Sequence, residues 1–369
     1  MASEPEHKLA NLEILRFLCS FSVLIFHYPV LTYVGNHYGN PPHSELPFEC
    51  ILSPFFDRGF LAVQYFWCIS GFIFFWKYQN TLRSQLTGRE FFALRLSRLY
   101  PLHIATLLYI ALMQLSYRSM IGSDFVYVNN TPFTFFLHLL MLGNLQHPFN
   151  DSFNGVTWSV SVEVFAYISF FVVCRYFRQS GAMALLIAFV CSIAFVRFRP
   201  DNNFLQCFAL FYLGGCACIV HRWIVRYRLA LFAAIALFAY YGVLTWCRSF
   251  WPDNGYFRMV ICIPPVVLAF ACVPIPRLPL IKWVQRAGEL TYSVYMLHFP
   301  IILTAVTVAA AFGMRLDYRS KWLFIAFVLT VFGTATLCYR YFEKPAQRAL
   351  RRLMLKAPAV SPKTAATTE

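Results

Sequence analysis

Runs of apolar residues about twenty long recur from one end of the chain to the other, and a helix of that length crosses the hydrocarbon of a bilayer. Ten such runs can be delimited, over residues 12–34, 59–78, 99–117, 156–173, 183–196, 204–220, 229–246, 257–273, 290–312 and 322–342. Composition agrees. Hydrophobic residues make up 59% of the chain and charged ones 13%, against about 25% charged in a soluble protein. Mean hydropathy is +0.57. A soluble domain this apolar would expose large sticky patches. The expected fold is all-α, a polytopic transmembrane helical bundle of about ten spans. A shorter run at 133–142, which holds His138, is too short to cross and is expected to be interfacial or re-entrant.

Charge orients the bundle. Of 31 Lys and Arg, twenty fall on the side of the termini and nine on the other, while Arg16 and Arg340 lie inside spans. Cytoplasmic loops carry the excess of basic residues, so both termini are expected to be cytoplasmic. The net charge of +15 is mostly this bias, together with attraction to anionic lipid. It argues against nucleic-acid binding, which would need a basic soluble domain. The start of the chain lacks a small-residue cleavage site and reads as a retained anchor. The 12 cysteines lie mostly inside spans as small apolar fillers. Cys216 and Cys218 face different sides of a helix, so neither a metal site nor a disulfide framework is expected. Residues 1–11 form a cytoplasmic segment, 12–348 one membrane domain, and 349–369 a basic and then disordered tail.

Against this apolar background a few polar residues stand out. Hydrocarbon penalises ionisable side chains, so those that remain inside spans are candidate functional groups. His27 lies deep in the first run, and an unperturbed imidazole is the usual general base at neutral pH. Its ordinary structural reading is a hydrogen bond between helices. Arg95 and Arg98 are three apart and share a helix face at the entrance to the third run. Two guanidiniums suit phosphate recognition, although such a pair is also ordinary anchoring at the headgroups. Glu163 lies about two turns below the outer end of its run, near the depth of His27. It could orient that imidazole as the acid of a triad does, or pair with Arg16 or another cation. The depths favour His27. Ser70 and Gly71 permit close helix packing or the passage of a thin ligand. His298 closes the run Tyr292-Ser-Val-Tyr-Met-Leu-His298 and serves either as packing or as part of a site. Glu343 closes the tenth run, where it can pair with nearby arginines, and a structural role is the favoured reading. From these residues alone, a proton-coupled transporter or channel competes with an enzyme.

The order of the motifs resembles that of the acyltransferase 3 family of integral membrane acyltransferases. The resemblance runs from Leu12 to about Arg348. It rests on Leu12-Glu-Ile-Leu-Arg16 with His27, Phe66-Trp-Cys-Ile-Ser-Gly-Phe72 and Arg95-Leu-Ser-Arg98-Leu-Tyr-Pro101. It continues in Trp158-Ser-Val-Ser-Val-Glu163, Gly288-Glu-Leu-Thr-Tyr-Ser-Val-Tyr-Met-Leu-His298 and Phe342-Glu-Lys-Pro345. Gln64 stands where the family often has an acid, and Glu13 replaces a common Asp.

The resemblance implies transfer of an acyl group, usually acetyl, from cytoplasmic acyl-CoA (acetyl-CoA) to a hydroxyl of a glycan or glycolipid beyond the membrane. It implies a multi-pass protein of the bacterial inner or cytoplasmic membrane. On this reading the coenzyme phosphates dock at Arg95 and Arg98, and the pantetheine arm threads past Ser70 and Gly71. His27 takes the hydroxyl proton, with Glu163 orienting or balancing it. Trp158 or Ser159 supplies the oxyanion donor. Direct transfer and an acyl-histidine intermediate both fit these residues. No metal is called for, and the oligomeric state is open.

Overall fold

The computed structural model describes residues 10–35, 37, 39, 41–79, 86–143, 152–177, 181–198, 202–229, 255–272 and 279–355. Among them the chain is helical throughout, with one isolated bridge between Val34 and His37. The helices are α1 (Ala10–His27), α2 (Glu49–Arg58), α3 (Ala62–Tyr78), α4 (Gly88–Ile121), α5 (Pro132–Leu139), α6 (Trp158–Tyr176) and α7 (Gly181–Phe198). They continue with α8 (Asn203–Arg226), α9 (Gly255–Cys272), α10 (Pro279–Glu289), α11 (Thr291–Ala311), α12 (Lys321–Cys338) and α13 (Lys344–Leu355). Seven stretches among the described residues are long and apolar enough to cross a membrane, and two further apolar helices are shorter. The run at 229–246 lies outside the described residues from 230 onward.

Caps set the helix boundaries that hydropathy alone misplaces. Thr87 accepts from the Glu90 backbone N–H at 3.2 Å, and the Glu90 carboxylate accepts from the Thr87 N–H at 2.8 Å. This capping box starts α4 at Gly88, well before the first apolar residue expected of that span. Arg95, Arg98 and Pro101 therefore lie inside the helix, two turns or more from its start. The helix thus begins before the apolar run at whose entrance they stand. Gly122, at φ +84°, ends α4 in the left-handed region where a side chain would be strained. Asn202 caps α8 through Leu205 at 3.1 Å, and Ser320 caps α12 through Leu323 at 3.4 Å.

Two glycines let α3 and α8 cross in backbone contact. A Cβ on Gly71 would lie 1.8 Å from the Phe211 carbonyl oxygen, and one on Gly214 would lie 1.9 Å from that of Cys68. No side chain fits at either point, so the crossing depends on small residues. Gly288 packs in the same way against the Glu13 backbone and brings α10 onto α1. Phe74 is buried at the centre of the bundle and stacks on Tyr167 with ring centroids 4.3 Å apart. The short run around His138 forms α5, which rests on the middle of α4. His103 Nε2 donates to the His138 carbonyl at 2.7 Å, and the Tyr100 hydroxyl donates to that of Leu139 at 2.5 Å.

Candidate active site

A cavity of about 110 Å³ lies where α1, α3, α4, α6 and α11 converge. Of the ten residues singled out from the sequence, six line it: Arg16, Ser70, Arg95, Arg98, Ser159 and Glu163. Sequence reasoning did not assign a role to Trp67, Tyr167, Tyr292 or Tyr295, which also line it. Tyr167 is four residues after Glu163, and Tyr292 and Tyr295 stand within the motif that ends at His298. The helical repeat was thus a signal for all three.

Arg95 is held by aromatic faces. Its guanidinium lies 4.9 Å from the Phe74 ring centroid and 5.1 Å from that of Tyr78, and it donates a hydrogen bond to the Tyr78 hydroxyl. A planar guanidinium can lie between two aromatic rings and still donate a hydrogen bond, which suits arginine better than lysine. Arg16 is bound within its own helix, donating to both Glu13 oxygens at 2.9 and 3.1 Å. Arg98 differs from both. Among the described residues its guanidinium has no hydrogen-bond partner, and it faces the cavity. A guanidinium offers five N–H donors in a fixed fork, so here they are available to a ligand.

Glu163 closes the opposite wall. Its carboxylate accepts hydrogen bonds from the Ser70 and Tyr167 hydroxyls, and the cations that act on it are Arg98 and Arg16. Depth favoured His27 as its partner, but no contact joins the two. Arg98, Arg16 and Glu163 line one cavity, which neither His27 nor His298 enters. Glu343 joins the same charge cluster from the π-helical turn Tyr339–Glu343. It is 4% exposed, accepts from the Ser293 hydroxyl, and lies within the fields of Arg98 and Arg16. π-Turns recur where a helix must redirect a side chain into a site. The nearby arginines expected as its partners are Arg98 and Arg16.

Gly71 does not line the cavity; it faces α8, as the Phe211 contact shows. Trp158 packs edge-on against Trp67 with centroids 5.7 Å apart. The Ser159 hydroxyl lies 2.7 Å from that of Tyr295, which donates to the Val156 carbonyl at 2.8 Å. Tyr295 therefore ends the cavity, and beyond it stand the two histidines. The ring of His298 is 5.8 Å from Tyr295 and 4.8 Å from His27, centroid to centroid. The sequence names all these residues, and the fold divides them into two groups. One is a charged cavity between arginines and Glu163. The other is a histidine pair behind Tyr295.

The family model described as an acyltransferase domain matches residues 9–340, nearly the whole chain. No curated protein and no solved structure matches it.

Proposed function

The chain belongs to the acyltransferase 3 family, and from that premise we propose that it moves an acetyl group from acetyl-CoA to a hydroxyl of a glycan or glycolipid. The transporter reading that the residues alone left open is set aside by this membership. The observation that carries the proposal is Arg98, whose unpaired donors line a cavity that also reaches Tyr295, the ring packed against His298 of the imidazole pair. A phosphate of the coenzyme takes those donors as a bidentate partner. The cavity is narrow and suits the slender thioester arm rather than the folded nucleotide, which stays outside at the arginine end.

The reaction then falls to His27. It takes the proton from the acceptor hydroxyl at Nε2, the hydroxyl oxygen bonds to the thioester carbonyl carbon, and the carbon–sulfur bond breaks. The proton passes on to the thiolate sulfur. The aromatic wall of Phe66, Trp67, Tyr292 and Tyr295 keeps water from competing for the acyl group. For this route Tyr295 must swing aside, since it separates the cavity from the histidines. Ser159 and Trp158 open α6, and the Ser159 hydroxyl, which lines the cavity, is placed to donate to a developing oxyanion. With ten spans and both termini cytoplasmic, the arginines face the coenzyme pool and His27 lies toward the far leaflet. The protein would then work in a bacterial cytoplasmic membrane.

Purified protein supplied with acetyl-CoA and surface glycan provides the test. The expected result is free coenzyme thiol released in proportion to ester formed on the glycan. Thiol release without an ester, or no dependence on acyl-CoA, would end the proposal.

A further inference from the structure

We infer that His298 is the positioning partner of His27, accepting a hydrogen bond from it only after His27 has taken the acceptor's proton. This rests on the proposed role of His27 as base. The tautomers follow from the backbone. His27 Nδ1 lies 2.9 Å from the Val23 carbonyl oxygen, and His298 Nδ1 lies 3.3 Å from that of Val294. A carbonyl only accepts, so each Nδ1 carries the hydrogen and each neutral ring has a bare Nε2.

His298 is fully buried and its Nε2 has no hydrogen-bond partner. Such an atom is costly unless some state of the protein satisfies it. The ring beside it is His27, with centroids 4.8 Å apart and planes at 49°, close enough for ring nitrogens to meet. While both rings are neutral, neither bare Nε2 can donate to the other and nothing bonds. Once His27 holds the hydroxyl proton it has two donors. Nδ1–H stays on Val23, and Nε2–H is freed from the hydroxyl oxygen as the ester bond forms. His298 Nε2 then accepts that N–H until the thiolate sulfur takes the proton. The contact strengthens only along the reaction, so it lowers the barrier without tightening substrate binding.

Surrounding groups agree with this division of labour. His27 is half-buried at the last turn of α1, where the negative end of the helix dipole favours a cation. Among the described residues, neither ring contacts a carboxylate. The titratable groups facing them are each other and, against His298, Tyr295. The part an acid plays in a Ser-His-Asp triad is here divided between the Val23 carbonyl and a second, neutral imidazole.

The test compares His298→Gln with His298→Phe in proteoliposomes, measuring kcat and KM for acetyl-CoA and for acceptor. Phe cannot accept a hydrogen bond and should lower kcat on the order of tenfold or more while leaving both KM values within about twofold. Gln offers an amide oxygen and should recover part of that loss. Native kcat in the Phe variant would overturn the inference, as would equal losses in both variants with raised KM. Should Phe fail to insert, His298→Leu replaces it under the same criteria. The base assignment is tested separately by His27→Ala. If that variant kept full activity, the reading of His27 would fail and this inference with it, whereas native kcat in the His298 variants alone would overturn only the inference.

Discussion

The Ser70 hydroxyl donates a hydrogen bond to the Glu163 carboxylate and so joins α3 to α6 at the arginine cavity. The bond commits Glu163 to the charge cluster and leaves His27 to its own backbone and to His298. Glu163→Gln keeps an acceptor for Ser70 but removes the countercharge of Arg98. A partly buried cation left without its partner costs on the order of 1–3 kcal/mol. Thermal melting in detergent should fall accordingly, and acyl transfer should slow about tenfold or more, ~1.4 kcal/mol of barrier. Unchanged melting and rate would remove Glu163 from the network.

Gly71 and Gly214 predict a structural effect with no kinetic signature of its own. Gly71→Ala forces a Cβ into the Phe211 backbone, and overpacking of this kind costs at least ~1–3 kcal/mol. Melting temperature and folded yield should drop, with KM for acetyl-CoA unaltered in whatever protein remains folded. A rise in KM without lost stability would return Gly71 to the donor path.

Much of this arrangement was legible in the sequence, because the bilayer makes ionisable residues inside apolar runs conspicuous. His27, Glu163 and His298 were found that way, Arg98 by its spacing from Arg95 at the mouth of a run, and hydropathy located the helices that hold them. What it could not supply was register. The capping box at Thr87 and Glu90 carries α4 more than two turns before its apolar stretch, so Arg98 stands inside a continuous helix and lines the same cavity as Glu163. The α3–α8 glycine contact turns Gly71 away from the cavity while its neighbour Ser70 faces in. Both outcomes depend on which way a helix is rotated against its neighbours, and a uniformly apolar span has no polar face to reveal that. The amphipathic α13, by contrast, follows a π-turn that no hydropathy profile marks, so the sequence suggested arginine partners for Glu343 without identifying them as Arg98 and Arg16.

Arg98 should govern donor affinity. Arg98→Ala removes the unpaired donors facing the cavity, and loss of charge-assisted hydrogen bonds costs about 1.5–3 kcal/mol. KM for acetyl-CoA should rise by roughly ten- to a hundredfold with a smaller change in kcat. Arg98→Lys should restore the charge without the fork and recover only part. An unchanged KM would contradict phosphate docking.

Outside the spans, acid should loosen the segment that follows His27. Glu45 accepts from the Tyr318 hydroxyl at 2.6 Å and from Arg319 at 2.7 Å, and the Tyr28 hydroxyl donates to the Tyr318 carbonyl at 2.8 Å. The Tyr318 bond first, and then Arg319, hold the Glu45 carboxyl below the usual carboxylate range. The folded pKa is thus below the unfolded one. The stabilisation is complete above the ordinary value near ~4.3 and is lost as pH falls through the lowered one. Limited proteolysis of the 41–48 segment should be flat through neutral pH and accelerate only in acid. Glu45→Gln should show the acid behaviour at neutral pH. Cleavage equally slow in the variant would rule out the clasp.

The claim on which the rest depends is that His27 performs the proton transfer. Proteoliposomes bearing His27→Ala, supplied with radiolabelled acetyl-CoA and acceptor glycan, test it most directly. The account predicts no labelled ester above background, while the variant inserts, melts near the native temperature and binds acetyl-CoA with native affinity. Labelled ester formed at the native rate would contradict it.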